Sequence, residues 1–307
     1  FTDTSTGNPA TRLWNFGDGT TSTIANPSKV YAIAGAYTVT LTVTNVTGPV
    51  STSQTVTVSL AYAGPNPVLL QVGPIDPRSI YPAAPAGVAT GLPSYYQDDQ
   101  GTRVGLLPMS GDGLNAPTQV FDNPVLTNPY SVFLGYGTEA FYYIASATLN
   151  TSVGRMVALF GIEAAFGGAG NAVPGQEFVF NRTRIVADVP TPGTYTFQHP
   201  YGTLTLDVTA ADIAGGRAIF YTNDVGVPRD FLTAGTGNMS RFLRQTVPPP
   251  PPGWIGDGAS TGPVTGSPLA TPFNKVRLTG PVGVNLDGTG NNFVETTQFT
   301  VSGRQYT

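Results

Sequence analysis

Tyr37-Thr38-Val39-Thr40-Leu41-Thr42-Val43-Thr44 decides the fold of the N-terminal region. Tyr37, Val39, Leu41 and Val43 fall on one side and four threonines on the other, the period-two pattern of a half-buried strand. Residues 53–58 alternate in the same way after a Gly48-Pro49 turn, so the two runs read as antiparallel neighbours with threonine facing solvent. Upstream, Leu13-Trp14-Asn15-Phe16 reads as an aromatic strand that ends in the tight turn Gly17-Asp18-Gly19.

These segments carry a resemblance. Trp14-Asn15-Phe16-Gly17-Asp18-Gly19, Asn26-Pro27 and Tyr31-Ala32-Ile33-Ala34-Gly35-Ala36-Tyr37-Thr38-Val39, running into Leu41-Thr42-Val43-Thr44-Asn45, stand in the order of the polycystic kidney disease (PKD) repeat. Residues 1–60 thus resemble an immunoglobulin-like β-sandwich of cell-surface and secreted proteins. The resemblance implies that Trp14 is a core anchor and that Tyr31 and Tyr37 flank a corner between strands. Phe1-Thr2-Asp3-Thr4-Ser5 matches the family's second strand, with no first strand before it. An open sheet edge exposes backbone donors and acceptors. Either the sequence is part of a longer chain, or a neighbouring subunit adds the strand and builds a filament.

Composition extends the β reading to all 307 residues. Charged residues make up 10%, against roughly 25% in average domains, and 38 Gly with 28 Pro punctuate the chain. At 40% hydrophobic and a net charge of −4, the chain is still a folding sequence rather than a disordered one. The 14 basic residues are scattered among 18 acids, which argues against nucleic acid. No run approaches the roughly 18 apolar residues of a membrane span. The absence of Cys removes disulfides and thiolate chemistry.

A second, β-rich domain is expected over residues 61–307, after a hinge at Gly64-Pro65-Asn66-Pro67. Strand candidates lie at 141–149, 155–160, 177–186, 193–199, 203–208 and 218–222, the spacing of a β-sandwich or jelly roll. Gly161 and Gly167-Gly168 suggest that the run 156–166 is a strand followed by a loop. The proline run 248–252 reads as a stiff polyproline II rod and a possible subdomain boundary. Strands near 275–278 and 296–301 follow it, too few to stand alone, so the tail is expected to pack back on this domain. Gln298-Phe299-Thr300-Val301-Ser302-Gly303 is the first candidate for strand donation between subunits. Residues 135–207 are similar to uncharacterised regions of bacterial surface proteins.

Catalytic constellations are thin, and the chain is read as a non-enzyme with no catalytic residue assigned. Gly258-Ala259-Ser260-Thr261-Gly262 matches G-x-S-x-G, but Pro263 follows it and the lone histidine, His199, lies upstream, against the order a nucleophile elbow needs. One histidine and no cysteine leave little for a transition metal. Glycoside hydrolysis needs only paired carboxylates, for which Asp98, Asp99 and Glu163 are the candidates.

Calcium is the expected cofactor, since oxygen-rich, Gly-rich loops suit it. One loop is Asn285-Leu286-Asp287-Gly288-Thr289-Gly290-Asn291, with Asn285, Asp287 and Asn291 as ligands. The other is the Asn15/Asp18 turn, because some PKD-type modules bind calcium. Tyr95, Tyr96 and Trp254 could stack on pyranose rings, and Asn45, Asn150, Asn181 and Asn238 open Asn-x-Ser/Thr sequons. The resulting expectation is an extracellular or cell-surface structural and adhesion protein. Its partners are its own copies or other surface proteins, joined by strand addition. The alternative is a polysaccharide-binding accessory region of a secreted hydrolase.

Overall fold

The computed structural model describes residues 1–29, 31, 35–58, 70–107, 121–167 and 170–307. The expected hinge at 64–67 and residues 32–34 of the PKD-like motif lie outside them. The chain forms two compact units, Phe1–Tyr62 and Ala63–Thr307.

In the first unit, β1 (Thr11–Asn15), β2 (Thr21–Ser22), β3 (Gly35–Asn45) and β4 (Gly48–Val58) form one antiparallel sheet in the order β2-β1-β3-β4. The alternation read from 37–44 is realised: Val39 and Leu41 are buried with Trp14 and Phe16. On the opposite face, the Thr40 and Thr42 hydroxyls bond Ser53 and Ser51 at 2.8 Å each. Tyr31 and Tyr37 stack at 4.1 Å, and the Tyr31 hydroxyl donates to the Phe16 carbonyl at 2.9 Å.

One expectation changes. Among the described residues Phe1-Thr2-Asp3-Thr4-Ser5 joins no ladder. It is held instead by Asp3, whose backbone N–H bonds Asn26 Oδ1 at 2.9 Å and whose carboxylate pairs with Arg12. The Phe1 ring lies 5.6 Å from both Trp14 and Phe16. Among the described residues the layer over Trp14 is therefore this irregular segment.

The second unit continues with β5 (Gln71–Val72), β6 (Tyr96–Gln97), β7 (Arg103–Gly105), α1 (Pro129–Leu134), β8 (Glu139–Thr151), β9 (Gly154–Phe166), β10 (Glu177–Ala187), β11 (Gly193–His199) and β12 (Gly202–Val208). After these come α2 (Ala210–Ala214), β13 (Ile219–Val225), β14 (Arg244–Gln245), β15 (Trp254–Asp257), β16 (Val264–Thr265), β17 (Val276–Thr279), β18 (Phe293–Thr296) and β19 (Thr300–Gln305). A nine-stranded sheet runs β13-β10-β9-β8-β19-β7-β6-β5, with β15 also on β19, and a four-stranded sheet runs β12-β11-β17-β18. Phe160 of β9 meets His199 of β11 at 5.3 Å, so the two sheets share one core with Tyr143, Tyr195, Phe197, Leu278 and Phe299.

Three local readings are corrected by this pairing. Strand β9 continues through Gly161 to Phe166, because β8 and β10 flank it along its whole length and supply the ladder that a glycine weakens locally. Segment 298–303, the candidate donor, is taken: Val301 pairs with Ala145 of β8, and Arg304 with Gly105 and Trp254. Trp254 stands in a strand rather than a loop. The proline run 248–252 lies inside the second unit, and the tail packs back as expected. No helix among the described residues is long and apolar enough to cross a membrane.

Candidate functional site

An opening in the first unit follows from its layering. A cavity of about 570 Å³ has Trp14, Val39 and Leu41 as its floor, Phe1, Thr2, Thr4 and Ser5 along one side, and Thr52, Ser53 and Gln54 of β4 along the other. Among the described residues strand β4 pairs with β3 alone, which leaves its second edge without a neighbour there. The two-residue turn makes Asn45↔Gly48 a hydrogen-bonded pair. Alternation from that pair points the backbone N–H groups of Ser51, Ser53 and Thr55 away from β3, toward the open side. Pro49 falls on the same outward set, where its missing N–H costs no ladder bond. Trp14 is 6% exposed, yet its indole Nε1 has no acceptor among the described residues. An apolar floor beside an outward-facing strand edge makes a place for an extended backbone, whose carbonyls can serve that edge.

The two expected calcium loops are closed by their own hydrogen bonds. Asn15 Oδ1 accepts from Gly17 N at 3.0 Å, and Asp18 accepts from Thr20 N at 3.0 Å and pairs with Lys29 at 2.6 Å. Partial burial pushes the Asp18 carboxyl up, but the hydrogen bonds from Lys29 and Thr20 outweigh it and leave it below the ordinary range. Asp287 accepts from Thr289 N, Asn291 N, Thr289 Oγ1 and Asn291 Nδ2 at 2.8, 2.9, 2.5 and 2.7 Å. The Thr289 and Asn291 side chains, with the backbone N–H groups, hold its carboxyl far below the usual range. Asn285 Oδ1 accepts from Gly290 N at 2.8 Å.

The aromatic candidates separate. Tyr96 is fully buried, its hydroxyl donating to the Phe231 carbonyl at 2.8 Å, so it cannot stack on a sugar. Tyr95 meets the Arg103 guanidinium at 4.6 Å and Tyr306 at 5.1 Å, and Trp254 is half-buried opposite Arg304. Among the sequon asparagines, Asn181 is buried, whereas Asn150 and Asn238 are exposed and Asn45 half-exposed.

The carboxylate candidates are each committed elsewhere. Asp98 Oδ1 accepts from Gln100 N and Thr102 N, and its Oδ2 from Phe242 N. Asp99 is held by Arg241 at 2.7 and 2.5 Å, and Glu163 by Arg182 at 2.8 Å. The Ser260 segment is a turn in which Asp257 Oδ1 accepts from Ala259 N and Ser260 N.

His199 is 2% exposed between Phe160 and Phe197, with Nδ1 accepting from Tyr201 N at 3.4 Å. Burial lowers its pKa from 6.5 to about 4. The unfolded chain therefore takes a proton that the folded one refuses: stability is full above pH 6.5 and falls as pH drops toward 4. The loss is about 3 kcal/mol. Urea unfolding of His199→Phe should lack this acid slope, and an identical slope in the variant would assign it to other groups.

Sequence reading missed the outward edge of β4, although Pro49 and the alternation of 53–58 hold its signal. It also missed Arg182, Phe178 and Glu139, which strand pairing brings onto one face of the nine-stranded sheet.

Comparison with known proteins agrees with the first unit. A family model described as PKD domain matches residues 1–60. Over 43 residues, 14% of this chain, the sequence is 63% identical to Collagenase ColA of Bacillus cereus. That stretch spans 4% of the collagenase's length. No solved structure matches the chain. Residues 1–60 are a PKD domain.

Proposed function

We propose that this chain is an extracellular accessory and interaction unit of a secreted protein, and that its PKD domain takes up an extended polypeptide strand along the outward edge of β4. The observation that carries this reading is the outward-facing backbone of β4 beside the apolar floor of Trp14, Val39 and Leu41. Strand addition between copies would assemble the protein into a filament or stalk. The PKD match and the collagenase similarity support an extracellular setting. They also keep a second reading in view, that of an accessory region of a secreted hydrolase that holds polysaccharide through Tyr95 and Trp254.

Ser53→Pro tests the first reading. It removes an outward N–H and leaves the β3–β4 ladder intact. Light scattering after size exclusion, with electron microscopy, should show assemblies of the wild type and monomers of Ser53→Pro, with the same far-ultraviolet circular dichroism for both. A wild type that stays monomeric at its highest soluble concentration, or a proline variant that assembles equally well, would overturn the proposal. Glycan-array binding lost on Trp254→Ala would favour the second reading.

A further inference from the structure

A second site lies in the other unit and is independent of the β4 edge. Strand pairing sets three rows across the nine-stranded sheet. Glu139 of β8 stands opposite Ala165 of β9, which stands opposite Phe178 of β10. In the next row Glu163 lies between Phe141 and Phe180. In the third, Arg182 lies between Gly161 and Asp224 of β13. Residues two apart in a strand share a face, so Glu163, Ala165, Phe178, Phe180 and Arg182 all project to one side. The Ala165 methyl leaves a slot between Glu139 and Phe178, two strand spacings or about 9–10 Å wide. A cavity of about 490 Å³ opens there, lined by Glu139, Ala165, Phe178, Phe180, Arg182 and Asp224.

The walls have a defined order. The Arg182 guanidinium lies 4.6 Å from the centroid of the Phe180 ring, and Phe178 stacks on Phe180 at 5.0 Å with 24° between planes. Arg182 is spent on carboxylates: Nη1 donates to Glu163 Oε2 at 2.8 Å, and Nε and Nη2 donate to Asp224 at 2.7 Å each. Glu139, across the slot, has no ion-pair partner among the described residues. Glu163 is fully buried, and its second oxygen, Oε1, has no hydrogen-bond partner among the described residues. Glu139, Glu163 and Asp224 thus lie near Arg182 and Arg184, beside an aromatic face that continues a stacked series. Among the described residues Glu139 is the carboxylate of the slot left without an ion pair, and a flat cation fits between it and Phe178.

We propose that this slot receives an arginine side chain of a partner protein, its guanidinium stacked on Phe178 and donating to Glu139. A planar guanidinium suits both contacts, whereas an ammonium can make only the charge contact. The groups facing Glu163 are Arg182 and Arg184 of β10, Glu139 of β8 and Asp224 of β13. Burial first, with Glu139 and Asp224 adding to it and the arginines opposing, raises the Glu163 pKa to about 8. Above that pH its ionisation adds negative charge beneath the slot and tightens the hold on a cation.

The experiment titrates N-acetylarginine amide into the whole chain, followed by amide chemical shifts of Ala165 and Phe178. Saturable shifts are expected, with affinity about tenfold lower in Glu139→Gln, the loss of one charge-assisted contact. The neutral N-acetylcitrulline amide should give no response, and the lysine analogue a weaker one. Wild-type affinity should rise as pH crosses 8 and stay flat in Glu163→Gln. Equal shifts with citrulline, or an unchanged affinity in Glu139→Gln, would overturn the proposal. So would a lysine response as strong as the arginine one.

Discussion

Glu163→Gln should make the protein more stable in alkali than the wild type. The Glu163 carboxyl is sealed between β8 and β10, and burial raises its pKa from 4.5 to about 8. Between those values the folded chain holds a proton that the unfolded chain has released. Stability from this residue is therefore complete below pH 4.5 and is lost as pH rises through 8. The amount is about 5 kcal/mol, a large fraction of the 5–15 kcal/mol that a typical domain has. Arg182 is not stranded by the change, because Asp224 holds it through two bonds. Urea unfolding monitored on the second unit across this range should show a falling wild-type curve and a flatter Glu163→Gln curve. Parallel curves would mean that Glu163 ionises in the fold with Arg182 as a full counter-charge.

Glu177→Ala has the opposite sign and a comparable size. Glu177 is fully buried at the start of β10. Its Oε1 accepts from the Tyr130 hydroxyl and from Gly175 N, and its Oε2 from Arg229 Nη1 at 3.0 Å. Arg229 Nη1 also donates to the Gly91 carbonyl at 2.9 Å. One carboxylate therefore ties β10 to α1 and to the loop carrying Gly91. Burial, and then the hydrogen bond to Glu177, hold the Tyr130 hydroxyl protonated far above its usual range. Removing the carboxylate leaves a partly buried guanidinium and a buried hydroxyl without their acceptor, which costs about 3–5 kcal/mol. The unfolding transition of the second unit should move to lower urea by that amount, with the PKD domain unchanged. Glu177→Gln, which keeps an acceptor, should fall between. An alanine variant within 1 kcal/mol of wild type would show that water replaces the carboxylate at no cost.

The strands announced themselves where one face of the sheet meets solvent. Tyr37 to Val43 and Gly193 to His199 alternate as they do because each has a wet side and a dry side. Strand β9 has little wet side past Gly161: residues 160–166 are buried throughout, so alternation vanishes and the glycine looked like an ending. Tyr96 and Trp254 misled for the related reason that an isolated aromatic beside turn residues carries no mark of the strand it will join. The loops with Asp18 and Asp287 read as turns from their Asp-Gly steps, but which donors their carboxylates accept from is decided by the fold.

Local chemistry thus accounts for the all-β class, the PKD motif and the turn positions, since each depends on residues a few places apart. Which strand edges are left over, and which charges meet, depends on pairings between residues far apart in the chain, such as Arg182 with Asp224 or Val301 with Ala145. A two-residue periodicity says that a strand has two faces. It contains no information on which neighbour will cover its edge, and both proposed sites are made by that choice.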